Sequence, residues 1–108
     1  LKAFMTEKEP FLNPELTIQN LASQMGFSQK EVSIIINQYM NKHFFDFIND
    51  YRITKAMSIL ENPKEKELTI LEILYSVGFN SKSSFNTAFK KHSILTPAEY
   101  RKKVLSEK

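Results

Sequence analysis

Two predicted helices each carry a polar face whose side chains could read the base edges of DNA. The candidate base-reading residues are Gln29, Lys30, Ser33, Ile34 and Asn37 on the first of these helices, and Lys82, Ser83, Asn86 and Thr87 on the second. Amide and ammonium groups can hydrogen-bond base edges in the major groove, hydroxyls can bond bases or phosphates, and an isoleucine can contact a thymine methyl. An ordinary solvated helix face has a similar composition, so the faces alone leave both interpretations open.

Hydroxyls and cations near these faces could contact the DNA backbone. The candidate phosphate-contacting residues are Ser28, Ser81, Lys90, Lys91 and Arg101. Four or five such contacts would give a log-log salt slope of about −4 to −5. For Lys102 and Lys103, which follow Arg101, a solvated charge run is the alternative interpretation.

An internal repeat places the two candidate helices in equivalent positions. Residues 16–27 align with residues 68–79 at an offset of 52 without a gap, and five of the twelve positions are identical. The only two glycines, Gly26 and Gly78, align in this repeat, and a phenylalanine follows each. Because glycine adopts the left-handed conformation without steric penalty, the repeat predicts two equivalent turns between helices. A helix, a tight turn and a second helix form the unit that places a helix in a DNA groove.

Hydrophobic residues recur with helical spacing, and the alternation typical of strands is absent. We predict an all-α fold of seven helices at about residues 1–9, 17–25, 29–40, 44–61, 70–77, 82–93 and 97–105. Ser28, Thr69 and Thr96 each precede a glutamate at capping-box spacing, which marks three helix starts. Asn41 is expected to end the third helix in a left-handed conformation. The predicted core-facing positions of the third and sixth helices are Val32, Ile35, Ile36, Tyr39, Phe85, Ala88, Phe89 and His92.

The long fourth helix is predicted to join two subdomains. Residues 1–43 would form the first helix-turn-helix subdomain, residues 44–61 the linker helix and residues 62–108 the second subdomain. The apolar stripe predicted to pack on both is Phe44, Phe47, Ile48, Tyr51, Ala56, Ile59 and Leu60. A helix of this length spans about 27 Å, and one turn of B-DNA is about 34 Å. The linker could therefore hold two recognition helices in successive major grooves on one DNA face.

Composition and motifs exclude several functional classes. The chain has 108 residues, no cysteine and a net charge of +3, which fits one small helical domain without disulfides or thiolate-bound metal. The charge is uneven, since residues 62–108 carry 9 Lys+Arg against 5 Asp+Glu. No glycine-rich phosphate loop, metal-ligand pair or nucleophile motif is present, so we expect no enzyme, cofactor, metal site or small-molecule ligand. Neither a signal peptide nor a membrane span is expected.

Three polar residues are expected to be structural. Arg52 falls on the inward side of the fourth helix, where a structural ion pair is the favoured interpretation. His92 is expected to pack in the core like Tyr39. His43 is a lone histidine without a second ligand at metal spacing.

Several motifs resemble the AraC/XylS-type bacterial transcription regulators across nearly the whole chain. The residues similar to the family's linker helix and C-terminal signature are Tyr51, Arg52, Ile53, Ala56, Leu60, Ile73, Gly78, Phe79, Ser84, Phe85, Phe89, Lys90, Lys91, Thr96, Pro97, Tyr100 and Arg101. Leu74, Ile94 and Ile34 depart from the pattern, where the family usually has alanine, glycine and a basic or polar residue. The resemblance implies a bihelical DNA-binding domain with two helix-turn-helix units that recruits or obstructs RNA polymerase at promoters.

We therefore expect a cytoplasmic bacterial domain that binds double-stranded promoter DNA with sequence specificity. Its expected partners are RNA polymerase and an upstream sensor or dimerisation region outside this chain. The alternative is a helical protein-interaction module that has no DNA sequence preference.

Overall fold

Every regular element in residues 1–106, the part of the chain described by this computed structural model, is helical. The seven α-helices are α1 (Lys2–Lys8), α2 (Ile18–Met25), α3 (Gln29–Ile34), α4 (Phe44–Glu61), α5 (Ile70–Ser76), α6 (Lys82–Ser93) and α7 (Pro97–Ser106). Two 3₁₀ turns, Pro10–Leu12 and Pro63–Glu65, and one π-helical segment, Ile35–Tyr39, complete the regular structure. The predicted all-α class with seven helices is confirmed.

The predicted capping boxes are present at three helix starts. Each hydroxyl accepts a hydrogen bond from the glutamate N–H, and each carboxylate accepts one from the N–H of the capping residue. The pairs are Ser28 with Glu31, Thr69 with Glu72 and Thr96 with Glu99, at distances of 2.9–3.2 Å. These bonds satisfy main-chain N–H groups that the first turn of a helix cannot pair internally.

Two packed clusters of apolar side chains form the core, and α4 contributes to both. The first cluster is Met5, Phe11, Leu16, Leu21, Ala22, Val32, Ile36, Phe47 and Ile48. The second is Ile53, Ala56, Leu60, Ile73, Leu74, Val77, Phe79, Phe85 and Phe89. Leu12 packs against both clusters. The buried Ile53 was missing from the predicted stripe, and the predicted subdomain boundaries at 43/44 and 61/62 stay a prediction.

The π-helical segment corrects the predicted orientation of Tyr39. Tyr39 was expected to face the core, but it is 81% exposed, and Met40 packs against the first cluster instead. Met40 N–H donates to the carbonyl oxygen of Ile35 at 3.2 Å, five residues back. Because this turn is wider than an α-helical turn, the inward position is reached one residue later.

Arg52 faces inward as predicted, but none of the described residues 1–106 gives it an acidic partner. Its side chain donates to main-chain carbonyl oxygens, from Nε to Phe11 at 2.7 Å and from Nη2 to Asn13 at 2.9 Å, while Nη1 donates to Asn49 Oδ1 at 3.2 Å. The expected ion pair is therefore wrong. Main-chain carbonyl oxygens can take the place of a carboxylate beside a buried guanidinium, because each offers lone pairs that accept its N–H groups.

Candidate nucleic-acid interface

The same local bonds build the turns before α3 and α6. Phe27 N–H donates to Ala22 O at 2.9 Å, and at an offset of 52 residues Phe79 N–H donates to Leu74 O at 3.0 Å. Gly26 (φ 75°) and Gly78 (φ 106°) both have positive φ, which favours glycine. The repeat therefore folds into two helix-turn-helix motifs, α2–α3 and α5–α6.

The second motif presents a clean division between core and solvent. On α6, Phe85 and Phe89 are fully buried, and Phe85 packs between the rings of Phe79 and Phe89 at centroid distances of 5.3 and 5.6 Å. The candidate base-reading residues of this helix are all exposed: Lys82, Ser83, Asn86 and Thr87. The aromatic packing on one side of α6 orients this polar face outward.

The first motif has a mixed outer face. Val32 and Ile36 are buried, while the candidate base-reading residues divide into exposed Gln29, Lys30 and Asn37 and half-buried Ser33 and Ile34. Asn37 Nδ2 donates to Ser33 Oγ at 3.1 Å, so the structure brings these two candidates together. Asn37 lies in the π-helical segment, beyond the end of α3.

The hydroxyls of Ser28 and Ser81 already serve as helix caps. Ser28 Oγ accepts from Glu31 N–H, and Ser81 Oγ accepts from Ser84 N–H at 3.1 Å and donates to Ser84 Oγ at 2.9 Å. The bonds from Ser28 N–H and from its hydroxyl hold the pKa of Glu31 below its ordinary value, although desolvation opposes them. A fixed carboxylate thus lies at the start of α3.

The basic candidates differ in their surroundings. Lys90 and Lys91 are exposed at the C-terminal end of α6. Arg101 is half-buried: its Nη2 donates to Glu65 O at 3.1 Å, and its buried Nε finds no hydrogen-bond partner within the described part of the chain, residues 1–106. The lysines are therefore better placed for phosphate contact than Arg101.

A cleft of about 890 Å³ separates α6 from the N-terminal half of α4. Its walls include Ser83, Ser84, Thr87, Ala88, Lys91 and His92 from α6, Asn41, Lys42 and His43 from the preceding turn, and Asp46, Asn49, Asp50 and Ile53 from α4. Sequence reasoning missed the acidic wall. The four-residue spacing of Asp46 and Asp50 places both on one side of a helix, and this was the available signal.

Asp50 contacts side-chain nitrogens from two directions. It forms an ion pair with Lys42, and its Oδ1 lies 3.9 Å from His92 Nδ1. The predicted core position of His92 is therefore wrong, since its side chain lines the cleft and is about one-third exposed. Phe89, three residues earlier, occupies the buried side of α6.

Within the described residues 1–106, no group of three or more acidic or histidine side chains is placed to hold a metal ion. In the same range, none of the helices combines the length and apolar character that crossing a membrane requires.

A family model described as a helix-turn-helix domain matches residues 21–103. The chain is 32% identical over 88 residues to the uncharacterized HTH-type transcriptional regulator YdeC of Bacillus subtilis (strain 168), and the match covers 82% of this chain but only 29% of that protein.

Two solved structures share the fold. The C-terminal domain of AraT, a response regulator from Geobacillus stearothermophilus, has a TM-score of 0.76 and 29% identity, over 94% of this chain and 82% of that one. The C-terminal domain of the two-component response regulator yesN from Fusobacterium nucleatum has a TM-score of 0.71 and 30% identity, over 87% of this chain and 88% of that one. With its two helix-turn-helix motifs, the chain belongs to the AraC-type helix-turn-helix family and is the DNA-binding domain of a transcriptional regulator.

Proposed function

We propose that this domain binds promoter DNA by placing α3 and α6 in successive major grooves on one face of the duplex. The observation that carries the proposal is the repeated turn: equivalent bonds set α3 and α6 on two apolar clusters with their polar residues outward. The domain is 45 Å in its longest dimension, which accommodates groove centres about 34 Å apart. The 18 residues of α4 span about 27 Å of that length.

Base reading is assigned to the exposed polar face of each helix. On α6, Lys82 and Asn86 carry the long donors that suit guanine and adenine edges, while Ser83 and Thr87 can bond either bases or phosphates. On α3, Gln29 and Lys30 have the corresponding reach, and Asn37 of the following π-helical segment forms a linked polar pair with Ser33. Half-buried Ile34 can supply only an apolar contact, which suits a thymine methyl.

Phosphate contact is assigned mainly to Lys90 and Lys91. Ammonium groups neutralise phosphates and release counterions, so their contribution depends on salt and not on base sequence. Ser28 and Ser81 stand at the N-terminal ends of α3 and α6. Main-chain N–H groups favour an anion at the start of α6, whereas the Glu31 carboxylate already occupies the Ser28 N–H and opposes a phosphate at the start of α3. Arg101 remains a candidate whose carbonyl contact to Glu65 already orients it.

The wider assembly is also a proposal. The chain spans less than a third of its Bacillus relative, and both similar structures are C-terminal domains of response regulators. We infer that an upstream signal-receiving or dimerisation region controls this domain, that the regulator acts in the cytoplasm, and that RNA polymerase is its partner at the promoter.

Selection of binding sites from random duplex DNA tests the proposal. We expect enrichment of a sequence with two preferred blocks whose centres lie about 10 base pairs apart. Repeating the selection with Gln29→Ala and with Lys82→Ala should weaken preference in one block each, and in different blocks. Enrichment of a single block, or of no sequence at all, would contradict two-groove binding.

A further inference from the structure

Arg52 lies on α4 between the two apolar clusters and is only 6% exposed. Two of its three donor groups bind the main chain of the segment that connects α1 to α2. Nε donates to Phe11 O at 2.7 Å and Nη2 donates to Asn13 O at 2.9 Å. Both acceptors belong to residues 9–13, which we call the clasp. Because these bonds are charge-assisted, the first buried and the second partly buried, they hold the clasp firmly against the middle of α4.

The second helix-turn-helix motif meets the clasp at the same carbonyl. A Cβ atom on Gly78 would lie 2.3 Å from Phe11 O and 2.7 Å from Arg52 Nε, so only a residue without a side chain allows this approach. The guanidinium carbon of Arg52 also lies 5.7 Å from the centroid of the Phe79 ring. Leu12 of the clasp packs against both apolar clusters. The clasp therefore contacts the linker helix and the turn that precedes α6.

The two glycine turns of the repeat differ in their contacts with the clasp. At Gly26 an added Cβ would meet no atom within 4 Å, although its φ of 75° is also left-handed. The equivalent turn of the second motif is filled by Phe11 and Arg52. The glycine turn of the second motif therefore packs against the clasp, whereas the glycine turn of the first motif does not.

We propose that Arg52 and the clasp fix the orientation of the second helix-turn-helix motif relative to the first, and so set the spacing of the DNA blocks that the domain accepts. Arg52 is a positioning residue in this proposal. The inference rests on the two-groove binding proposed above and adds what determines the accepted spacing between the two DNA blocks.

The chemistry of the contact explains why arginine suits this position. The planar guanidinium reaches two carbonyl oxygens two residues apart and the amide oxygen of Asn49 at the same time. A lysine ammonium at the end of a flexible stem does not reproduce this fork. Lys55 attaches the same clasp to α4 a second time, since its Nζ lies 2.8 Å from Glu9 Oε2. The N-terminal segment is therefore fastened to α4 on both sides of the 3₁₀ turn.

Fixed orientation has a measurable consequence on DNA. Inserting one base pair between the two blocks moves them apart by about 3.4 Å and rotates one against the other by about 34°. A rigid pair of motifs can bind the altered duplex only by losing contacts in one groove. A loosely joined pair could still place both motifs on the altered duplex. It would bind the original duplex less tightly, because the effective concentration of the second motif at its block is lower.

The test measures spacing preference in matched variants. Gly78→Ala forces the clasp and the turn apart, while Gly26→Ala adds the same methyl at the equivalent turn and meets no neighbour. Arg52→Lys keeps the positive charge but cannot form the forked hydrogen bonds of the guanidinium. This variant replaces Gly78→Ala in the test if Gly78→Ala does not fold. Each protein is checked for a cooperative thermal transition. Affinity is then measured for the selected duplex, for duplexes with one or two inserted base pairs, and for each block alone.

We expect the wild-type protein and Gly26→Ala to lose at least about tenfold in affinity on insertion of one base pair, a loss of about 1.4 kcal/mol. For Gly78→Ala and Arg52→Lys the loss on insertion should shrink to about threefold or less, with unchanged affinity for each single block. If these variants fold and keep the wild-type spacing preference, the inference is wrong while two-groove binding stands. If the wild-type protein itself tolerates every insertion, the motifs are not held in a fixed orientation and the inference is wrong. If it binds one block alone as tightly as the selected duplex, two-groove binding fails and the inference with it.

Discussion

Lys91 Nζ on α6 lies 3.7 Å from Asp46 Oδ1 on α4, across the cleft between these helices. A cation proposed to contact phosphate therefore faces a carboxylate of the linker helix. Both side chains are largely exposed, so their attraction is weak and a phosphate can compete for the lysine. The carboxylate also repels any phosphate that approaches Lys91.

Asp46→Asn should therefore tighten DNA binding. Because exposed pairs contribute at most about 1 kcal/mol, we expect a gain of up to about fivefold at low salt, equal for specific and random duplexes. Fluorescence anisotropy with both duplexes measures it. Glu7→Gln removes the same charge from α1, outside the cleft, and controls for net charge. Equal gains in the two variants would show that the position of Asp46 is irrelevant.

Base reading and phosphate contact should separate in alanine variants of α6. Lys82→Ala and Asn86→Ala should each reduce discrimination between the selected and a random duplex by about 1–3 kcal/mol. Lys91→Ala should weaken binding to both duplexes alike and reduce the salt slope by about one unit. Competition titrations at two salt concentrations measure both quantities. Sequence-independent losses in all three variants would show that the reading face is assigned wrongly.

Replacing Ile94 by glycine should stabilise the folded protein. Its backbone is left-handed (φ 74°, ψ −28°) just after α6, where a β-branched residue is strained. Since its side chain is 81% exposed, replacement removes little packing. We expect Ile94→Gly to raise the free energy of unfolding by about 1 kcal/mol, after the entropic cost of glycine. In thermal melts this corresponds to an increase in Tm of about 4 °C or more. As a control, Gly26→Ala at a similar φ should lower Tm. A lower Tm for Ile94→Gly would show that the left-handed backbone at Ile94 is not strained.

Acid should weaken the fold partly through the capping boxes. Main-chain and hydroxyl hydrogen bonds lower the pKa of Glu31, Glu72 and Glu99 in the folded protein. Their stabilisation is therefore present above the ordinary glutamate pKa of about 4.3 and is lost as the pH falls through the lowered values. In the triple Glu→Gln variant, glutamine can still form the capping box but carries no titrating group. Urea unfolding should show a smaller loss of stability for this variant between about pH 6 and about pH 3. An identical loss in both proteins would contradict the prediction.

The helix starts were predictable because their signals are local. Thr69 and Glu72 bond each other within one turn, so no distant part of the chain decides the outcome. The left-handed Asn41 (φ 52°) was predictable for the same reason. The polar face of α6 followed from periodicity, because Phe85 and Phe89 bury the opposite side.

Features that depend on wider turns or distant packing were not predictable. Tyr39 is exposed because a π-helical turn shifts the register, and periodicity assumes a constant turn. Two of the acceptors of Arg52 are main-chain carbonyls 39 and 41 residues away, and residue types give no sign of such contacts. Gly26 and Gly78 look alike in the repeat, yet only Gly78 lies against the clasp.

The hydroxyl-radical footprint of this chain on its selected duplex tests two-groove binding most directly. Protection should appear as two patches on the same face of the DNA, about 10 base pairs apart. The patch assigned to α6 should weaken in Lys91→Ala while the other remains. A single patch, or two patches on opposite faces of the duplex, would contradict the account.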